Sequence, residues 1–131
     1  MSRILVVLGR IFYVAIFFMA VPGHFSAGTI GYAASHGVPM ASFLVPASGV
    51  IAGLGALSIL TGYKAKWGAW LIVLFLVPVT LTMHNFWAMP DAAAAGVNRI
   101  MFMKNLSMLG AALLIANFGT GPCSFDNVGR K

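Results

Sequence analysis

Four long apolar runs constrain this sequence more than any other feature. They predict helices over about residues 4–21, 41–61, 67–87 and 99–118, and each run is almost free of charge. At about 1.5 Å of rise per residue, runs of roughly 20 residues cross a hydrocarbon core of roughly 30 Å. The sequence therefore predicts an all-α membrane protein built as a bundle of four transmembrane helices.

The composition agrees with a protein that is solvated mainly by lipid. Only 8% of the residues are charged, whereas a soluble domain carries about 25%. The four helices use most of the chain, so we expect one domain over residues 1–131. Its remaining parts are a short interfacial helix or loop within residues 24–40 and a C-terminal tail over residues 119–131.

The basic residues indicate topology rather than nucleic-acid binding, because they are scattered and no soluble face exists to carry a basic patch. Five of them lie at the N-terminus, in the second connection and in the tail: Arg3, Lys64, Lys66, Arg130 and Lys131. The opposite side offers only Arg99, beside Asp91. Since positive loops stay in the cytoplasm, we expect both termini to be cytoplasmic.

Cysteine content limits the chemistry. Cys123 is the only cysteine, so an intrachain disulfide and a cysteine-based zinc or iron–sulfur site are excluded. It can still pair with another chain. The first apolar run follows Arg3 as a signal peptide would, but its length and the presence of Arg10 predict a retained helix.

Four polar residues are predicted to lie at the outer ends of their helices. They are His24, His84, Asn85 and Lys104. An ionisable side chain near the hydrocarbon layer is costly and is a candidate functional residue by default. We take these four as candidate ligand-binding residues, with His84 at the centre. A histidine packed by hydrogen bonds to its neighbours is the structural alternative.

The two acidic residues, Asp91 and Asp126, both lie outside the predicted helices. Arg10 therefore has no acidic partner inside the bundle, although buried charges usually have one. If the glycine- and proline-rich tail folds back, Arg10 and Asp126 can form a structural polar pair. A separate pattern, Gly49, Gly53 and Gly55, allows close helix packing, which we expect to be within the chain.

Several short motifs, taken together in their order, resemble one family. They are Leu8-Gly9-Arg10, Gly23-His24-Phe25, Gly37-Val38-Pro39, Leu60-Thr61-Gly62-Tyr63-Lys64, Lys104-Asn105-Leu106 and Gly119-Thr120-Gly121-Pro122. This pattern resembles the DoxX family of small bacterial membrane proteins. The resemblance implies a multi-pass protein of the bacterial inner membrane, and a small or accessory subunit of a thiosulfate:quinone oxidoreductase or similar redox complex. The family's polar positions fall on Arg10, His24, His84, Lys104 and Asp126.

Three functions follow as hypotheses. In the first, the chain contributes to a quinone or small-ligand site near the outer face, since histidine exchanges a proton near neutral pH. In the second, it is a structural or tethering subunit with no chemistry of its own, in contact with other membrane subunits or with copies of itself. Haem held by His24 and His84 ranks lowest, because no carboxylate supports either ligand. We expect no metal site, and whether the chain is catalytic stays open.

Overall fold

The computed structural model describes residues 2–128. Five α-helices make up the fold: α1 Ser2–Ala20, α2 Ala27–Ser35, α3 Ala41–Thr61, α4 Ala65–Met83 and α5 Ala92–Phe118. Short 3-10 helices cover Val21–Phe25, Phe86–Ala88 and Phe125–Asn127. The spans that contain α1, α3, α4 and α5 are long and apolar enough to cross a membrane, and residues 2–128 contain no strand. The predicted all-helical class with four membrane spans is confirmed, and a short helix, α2, follows the first span.

The two central helices are α3 and α4, with α1 packed on α3 and α5 packed on α4. The core is formed where these helices meet, and its largest fully buried side chains are Val14, Ile59, Ile72 and Leu76. Most of the other large apolar side chains are exposed. Outward-facing apolar side chains are expected of a bundle that contacts lipid on its outer surface.

Glycines let α3 approach its neighbours closely. A Cβ atom built on Gly55 would lie 2.8 Å from the carbonyl oxygen of Gly68 on α4, and one on Gly49 would lie 2.6 Å from the Cβ of His24. A Cβ on Gly53 would be in contact with Val21. The prediction that these glycines serve packing within the chain is confirmed.

The last span begins earlier than expected, at Ala92 rather than near residue 99. The Asp91 side chain accepts a hydrogen bond from the Ala94 amide at 2.7 Å, which caps the first turn. The alanines that follow are strong helix formers. At 1.5 Å per residue, the 27 residues of α5 extend about 40 Å, so this helix is longer than a hydrocarbon core is thick.

The third span ends earlier than expected, at Met83 rather than near residue 87. His84 is its C-cap and leaves the helical conformation, and the 3-10 turn Phe86–Ala88 follows. The outer part of α5 therefore continues past the end of α4. We call the end of the bundle that holds the α3–α4 turn and residues 119–128 the tail end, and the opposite end the loop end.

Candidate functional site

Arg10 is the most buried charged side chain at the tail end, with 6% of its surface exposed. Its Nη2 donates a hydrogen bond to the carbonyl oxygen of Cys123 at 2.7 Å, while Nε and Nη1 have no hydrogen-bond partner. The Cys123 backbone has a positive φ of 57° and its side chain is exposed. A charged donor on a backbone carbonyl is a strong hydrogen bond. Arg10 thereby holds the tail against the bundle.

Asp126 makes a different set of contacts. Its two carboxylate oxygens accept hydrogen bonds from the backbone amides of Lys64 and Ala65, at 2.7 and 3.0 Å, and its own amide donates to the Gly62 carbonyl. These amides form the first turn of α4, where a negative charge is favoured by the helix dipole. Arg10 and Asp126 thus share the tail end, but each hydrogen-bonds backbone groups rather than the other.

Replacing Asp126 with alanine is expected to lower the free energy of unfolding by about 1–2 kcal/mol, as for the loss of an N-cap. Hydrogen exchange should become faster at the amides of Lys64 and Ala65. Asp126→Asn is the matched control, since asparagine keeps one acceptor oxygen and caps helices well. An Asp126→Ala variant with unchanged exchange at these two amides would show that the tail does not cap α4 in solution.

His84 belongs to a small polar cluster at the loop end. Its Nδ1 lies 3.0 Å from Oδ1 of Asn98, and Nδ2 of Asn98 donates to the Ala94 carbonyl. This second bond fixes the amide orientation of Asn98, so Nδ1 of His84 is the donor in its hydrogen bond to Oδ1. His84 is half-buried, and its hydrogen bond joins the end of α4 to the first turns of α5.

His24 lies in the 3-10 segment that follows α1 and packs into the bundle. Its Nδ1 donates to the Ala20 carbonyl at 2.9 Å, and its ring centroid is 5.5 Å from that of Phe75. The absence of a side chain at Gly49 makes room for it. Phe75 precedes His84 by about 13 Å along α4, so the two histidines contact different levels of the bundle.

The remaining two candidates do not complete a site with the histidines. Lys104 is exposed, and its Nζ contacts the Met101 sulfur at 3.5 Å. Asn85 is half-buried at the start of the 3-10 turn and makes no side-chain cap. Within residues 2–128, no hydrogen bond joins any two of the four candidates, and no group of three or more potential metal ligands occurs.

Besides the contact of Lys66 with the Asn117 carbonyl, two further polar contacts between spans were not predicted. Nδ2 of Asn105, a buried residue of α5, donates to the Thr80 hydroxyl of α4 at 3.0 Å. The Tyr13 hydroxyl of α1 donates to the Met108 carbonyl of α5 at 2.9 Å. Both join α5 to the rest of the bundle. A hydroxyl or amide within an apolar run is the sequence signal for such a contact, but it does not identify the partner.

Comparisons with known proteins place the chain in a family. The model of the SURF4 family matches residues 40–131. The chain belongs to the SURF4 family. It is 34% identical over 99 residues to the inner membrane protein YphA of Escherichia coli, covering 76% of this chain and 70% of YphA. It is 36% identical over 106 residues to the inner membrane protein YqjF of the same organism, covering 80% of this chain and 75% of YqjF.

A eukaryotic relative is also similar. The ER-derived vesicles protein ERV29 of Saccharomyces cerevisiae is 30% identical over 73 residues, which is 56% of this chain but only 23% of ERV29. No solved structure matches the chain. Membership of the SURF4 family overturns the resemblance to the DoxX family. The same finding shows that the three functions expected above are wrong. These were a redox-complex subunit with a quinone site, a structural or tethering subunit, and a haem protein.

Proposed function

We propose that this SURF4-family chain is a receptor that binds a second membrane protein, the client, through the exposed face of α5. One observation carries the proposal, namely the position of Lys104. This lysine is exposed on a membrane span, and its ammonium group contacts only a methionine sulfur among the described residues. A charge at such a position is costly in lipid and marks a functional site by default.

The depth of Lys104 follows from the length of α5. At 1.5 Å per residue, it lies about 18 Å from Ala92 and about 21 Å from Phe118. A lysine side chain can extend towards the headgroups over a few ångströms, and α5 continues beyond the end of α4 on the loop side. Thr80, which hydrogen-bonds the neighbouring Asn105, is buried three residues before α4 ends. Lys104 therefore lies about one helical turn inside the loop end of α4, and a carboxylate on a partner helix at that level would stabilise its charge.

This chain has no carboxylate that can serve as the partner. Asp91 caps α5, about 20 Å along the helix from Lys104. Asp126 caps α4 at the tail end. A second copy of the chain has the same two acids at the same two ends. The partner that fits is therefore a different membrane protein, with an aspartate or glutamate within one of its own transmembrane helices.

The rest of α5 offers a surface for such a helix. Among the four spans α5 is the least buried, and only Asn105 and Ala112 are fully buried along it. Exposed small or polar groups at Ser107 and Gly110 accompany Lys104, and a Cβ atom at Gly110 would meet nothing within 4 Å. Small residues let two helices approach closely in lipid.

The cellular setting is also proposed. The two Escherichia coli relatives are inner membrane proteins by name, which supports a location in the bacterial inner membrane. The basic side chains Arg3, Lys64 and Lys66 lie at the tail end, so the positive-inside rule supports cytoplasmic termini. With that orientation, α2 and the His84 cluster face the opposite side of the membrane.

The client is tested by purification from the native membrane in mild detergent, followed by mass spectrometry of co-purified proteins. Losing one partner of a buried charge pair costs about 2–5 kcal/mol, so Lys104→Gln is expected to reduce the client at least tenfold. Lys104→Arg should retain most of it. The control is Arg99→Gln, which removes an exposed charge at the loop end. Equal recovery of the same proteins with Lys104→Gln would refute the proposal.

A further inference from the structure

A cavity lies at the tail end of the bundle. It has a volume of about 330 Å³, is half open, and is bordered by the α3–α4 turn and the tail. The residues of its lining that matter here are Lys64, Lys66, Trp67, Phe118, Thr120 and Asp126. The lining thus combines two cations, one carboxylate, a hydroxyl and two large aromatic side chains.

Thr120 is the residue in this lining whose contacts are incomplete. Only 7% of its surface is exposed, and its Oγ1 has no hydrogen-bond partner. Buried hydroxyl groups in native proteins are nearly always hydrogen-bonded. The Oγ1 atom itself has almost no accessible surface, so the exposed lysine ammonium groups are the polar groups that a ligand in the cavity can reach.

The charges around the cavity favour an anion. The Asp126 carboxylate is directed at the amides of Lys64 and Ala65, so it does not neutralise the lysines. The Lys66 ammonium donates one hydrogen bond to the Asn117 carbonyl, at 2.7 Å. An ammonium has three N–H donors, so two remain for a ligand. Arg10, on the bundle side of the tail, adds a buried guanidinium with two unpartnered nitrogens. Within the lining, two lysine cations accompany one carboxylate that is engaged with backbone amides.

The aromatic residues indicate that the anion is attached to an apolar body. Trp67 and Phe118 are 73% and 77% exposed. They lie at the first turn of α4 and the last residue of α5, where the membrane spans meet the polar tail. Tryptophan is enriched at this level of a membrane because its ring matches the headgroup region.

We propose that this cavity binds the phosphate of an anionic phospholipid. The ammonium groups of Lys64 and Lys66 pair with the phosphate, and the acyl chains lie along Trp67 and Phe118. The docked tail, held by Arg10 and Asp126, forms one wall of the site. Such a lipid stabilises the tail end whether or not a client is bound to α5.

The test is native mass spectrometry of the detergent-solubilised protein with added phosphatidylglycerol, phosphatidylcholine or inorganic phosphate. We expect a stoichiometric phosphatidylglycerol adduct that phosphatidylcholine does not displace. A basic residue near an anionic lipid contributes about fivefold in binding, so Lys64→Gln should weaken retention about fivefold and Lys64→Gln/Lys66→Gln more than tenfold.

Arg99→Gln is the charge-matched control and should retain the lipid. Lys64→Gln is the variant that separates binding from folding, because its ammonium contacts only the Tyr63 ring among the described residues, so its thermal stability should be unchanged without lipid. Equal retention of the two lipids would overturn the proposal, as would retention that is unchanged in the double variant. Displacement of the lipid by millimolar phosphate would assign the cavity to a free anion instead.

Discussion

A Gly68→Leu variant is expected to lose the folded bundle. The backbones of α3 and α4 meet at Gly55 and Gly68, where a Cβ atom on Gly68 would overlap the Ser58 side chain and lie 3.0 Å from the Gly55 carbonyl. Neither helix can yield without separating the core that contains Ile59 and Ile72. Overpacking a tight core costs about 1–3 kcal/mol or more, and here it acts on the central pair of helices.

The measurement is size-exclusion chromatography in detergent, followed by thermal unfolding monitored by tryptophan fluorescence. Gly9→Leu is the matched control, because a Cβ atom at Gly9 would meet nothing within 4 Å. The control should elute and unfold like the unchanged protein, whereas Gly68→Leu should aggregate or unfold at a much lower temperature. Equal unfolding temperatures for the two variants would contradict the α3–α4 packing.

The second large effect is expected at Gly62, in the turn between α3 and α4. Its φ of +69° favours glycine, and a Cβ atom there would overlap Ser124 and lie 2.9 Å from Nη1 of Arg10. Gly62→Ala should therefore displace the tail. The left-handed backbone costs about 1–2 kcal/mol, and the loss of the Asp126 cap adds about 1 kcal/mol.

Gly37 provides the control for backbone strain alone. It has a φ of +81°, but a Cβ atom there would meet nothing within 4 Å. Gly37→Ala should show the cost of the left-handed conformation without displacing the tail. Hydrogen exchange at Lys64 and Ala65 separates the two effects, since only Gly62→Ala should speed it. Slow exchange at these amides in Gly62→Ala would mean that the tail is not packed on this turn.

The spans could be predicted from the sequence because hydropathy and length are local properties. The start of α5 was missed although its signal is local, since Asp91 followed by alanines is a capped helix start. The stretch 88–98 was predicted to be a short connection rich in small residues, and its alanines form the first turns of α5. Where a helix leaves the membrane and where it ends are different positions, and hydropathy reports only the first.

The polar contacts were harder to predict, because they depend on how each helix is rotated. His84, His24 and Lys104 were expected at a similar depth, with no prediction of which residues they face. His84 bonds Asn98, whose position within a helix had not been predicted. Asp126 was expected to pair with Arg10 if the tail folds back. The tail does fold back, but Asp126 accepts hydrogen bonds from the first turn of α4 instead. Neither the hydropathy nor the residue spacing shows how each helix is rotated about its axis, and that rotation determines which side chains meet.

The error over the family has a similar origin. The resemblance to the DoxX family rested on motifs such as Gly62-Tyr63-Lys64 and Gly119-Thr120-Gly121-Pro122. These motifs form turns and helix ends, which all small helical bundles require. Gly62 turns the chain with a positive φ, and Gly119 and Gly121 end α5 and fold back the tail. Residues chosen for turns and close packing do not distinguish one family of four-span proteins from another.

The most direct test of the proposed receptor function is photocrosslinking in the native membrane. A photoreactive phenylalanine derivative replaces Met103, beside Lys104 on the exposed side of α5, or Leu81, an exposed residue of α4 at the same depth. The account predicts one adduct of defined mass with another membrane protein from Met103, lost with Lys104→Gln and absent from Leu81. Adducts of equal yield from both positions, or an adduct with a second copy of this chain alone, would contradict it.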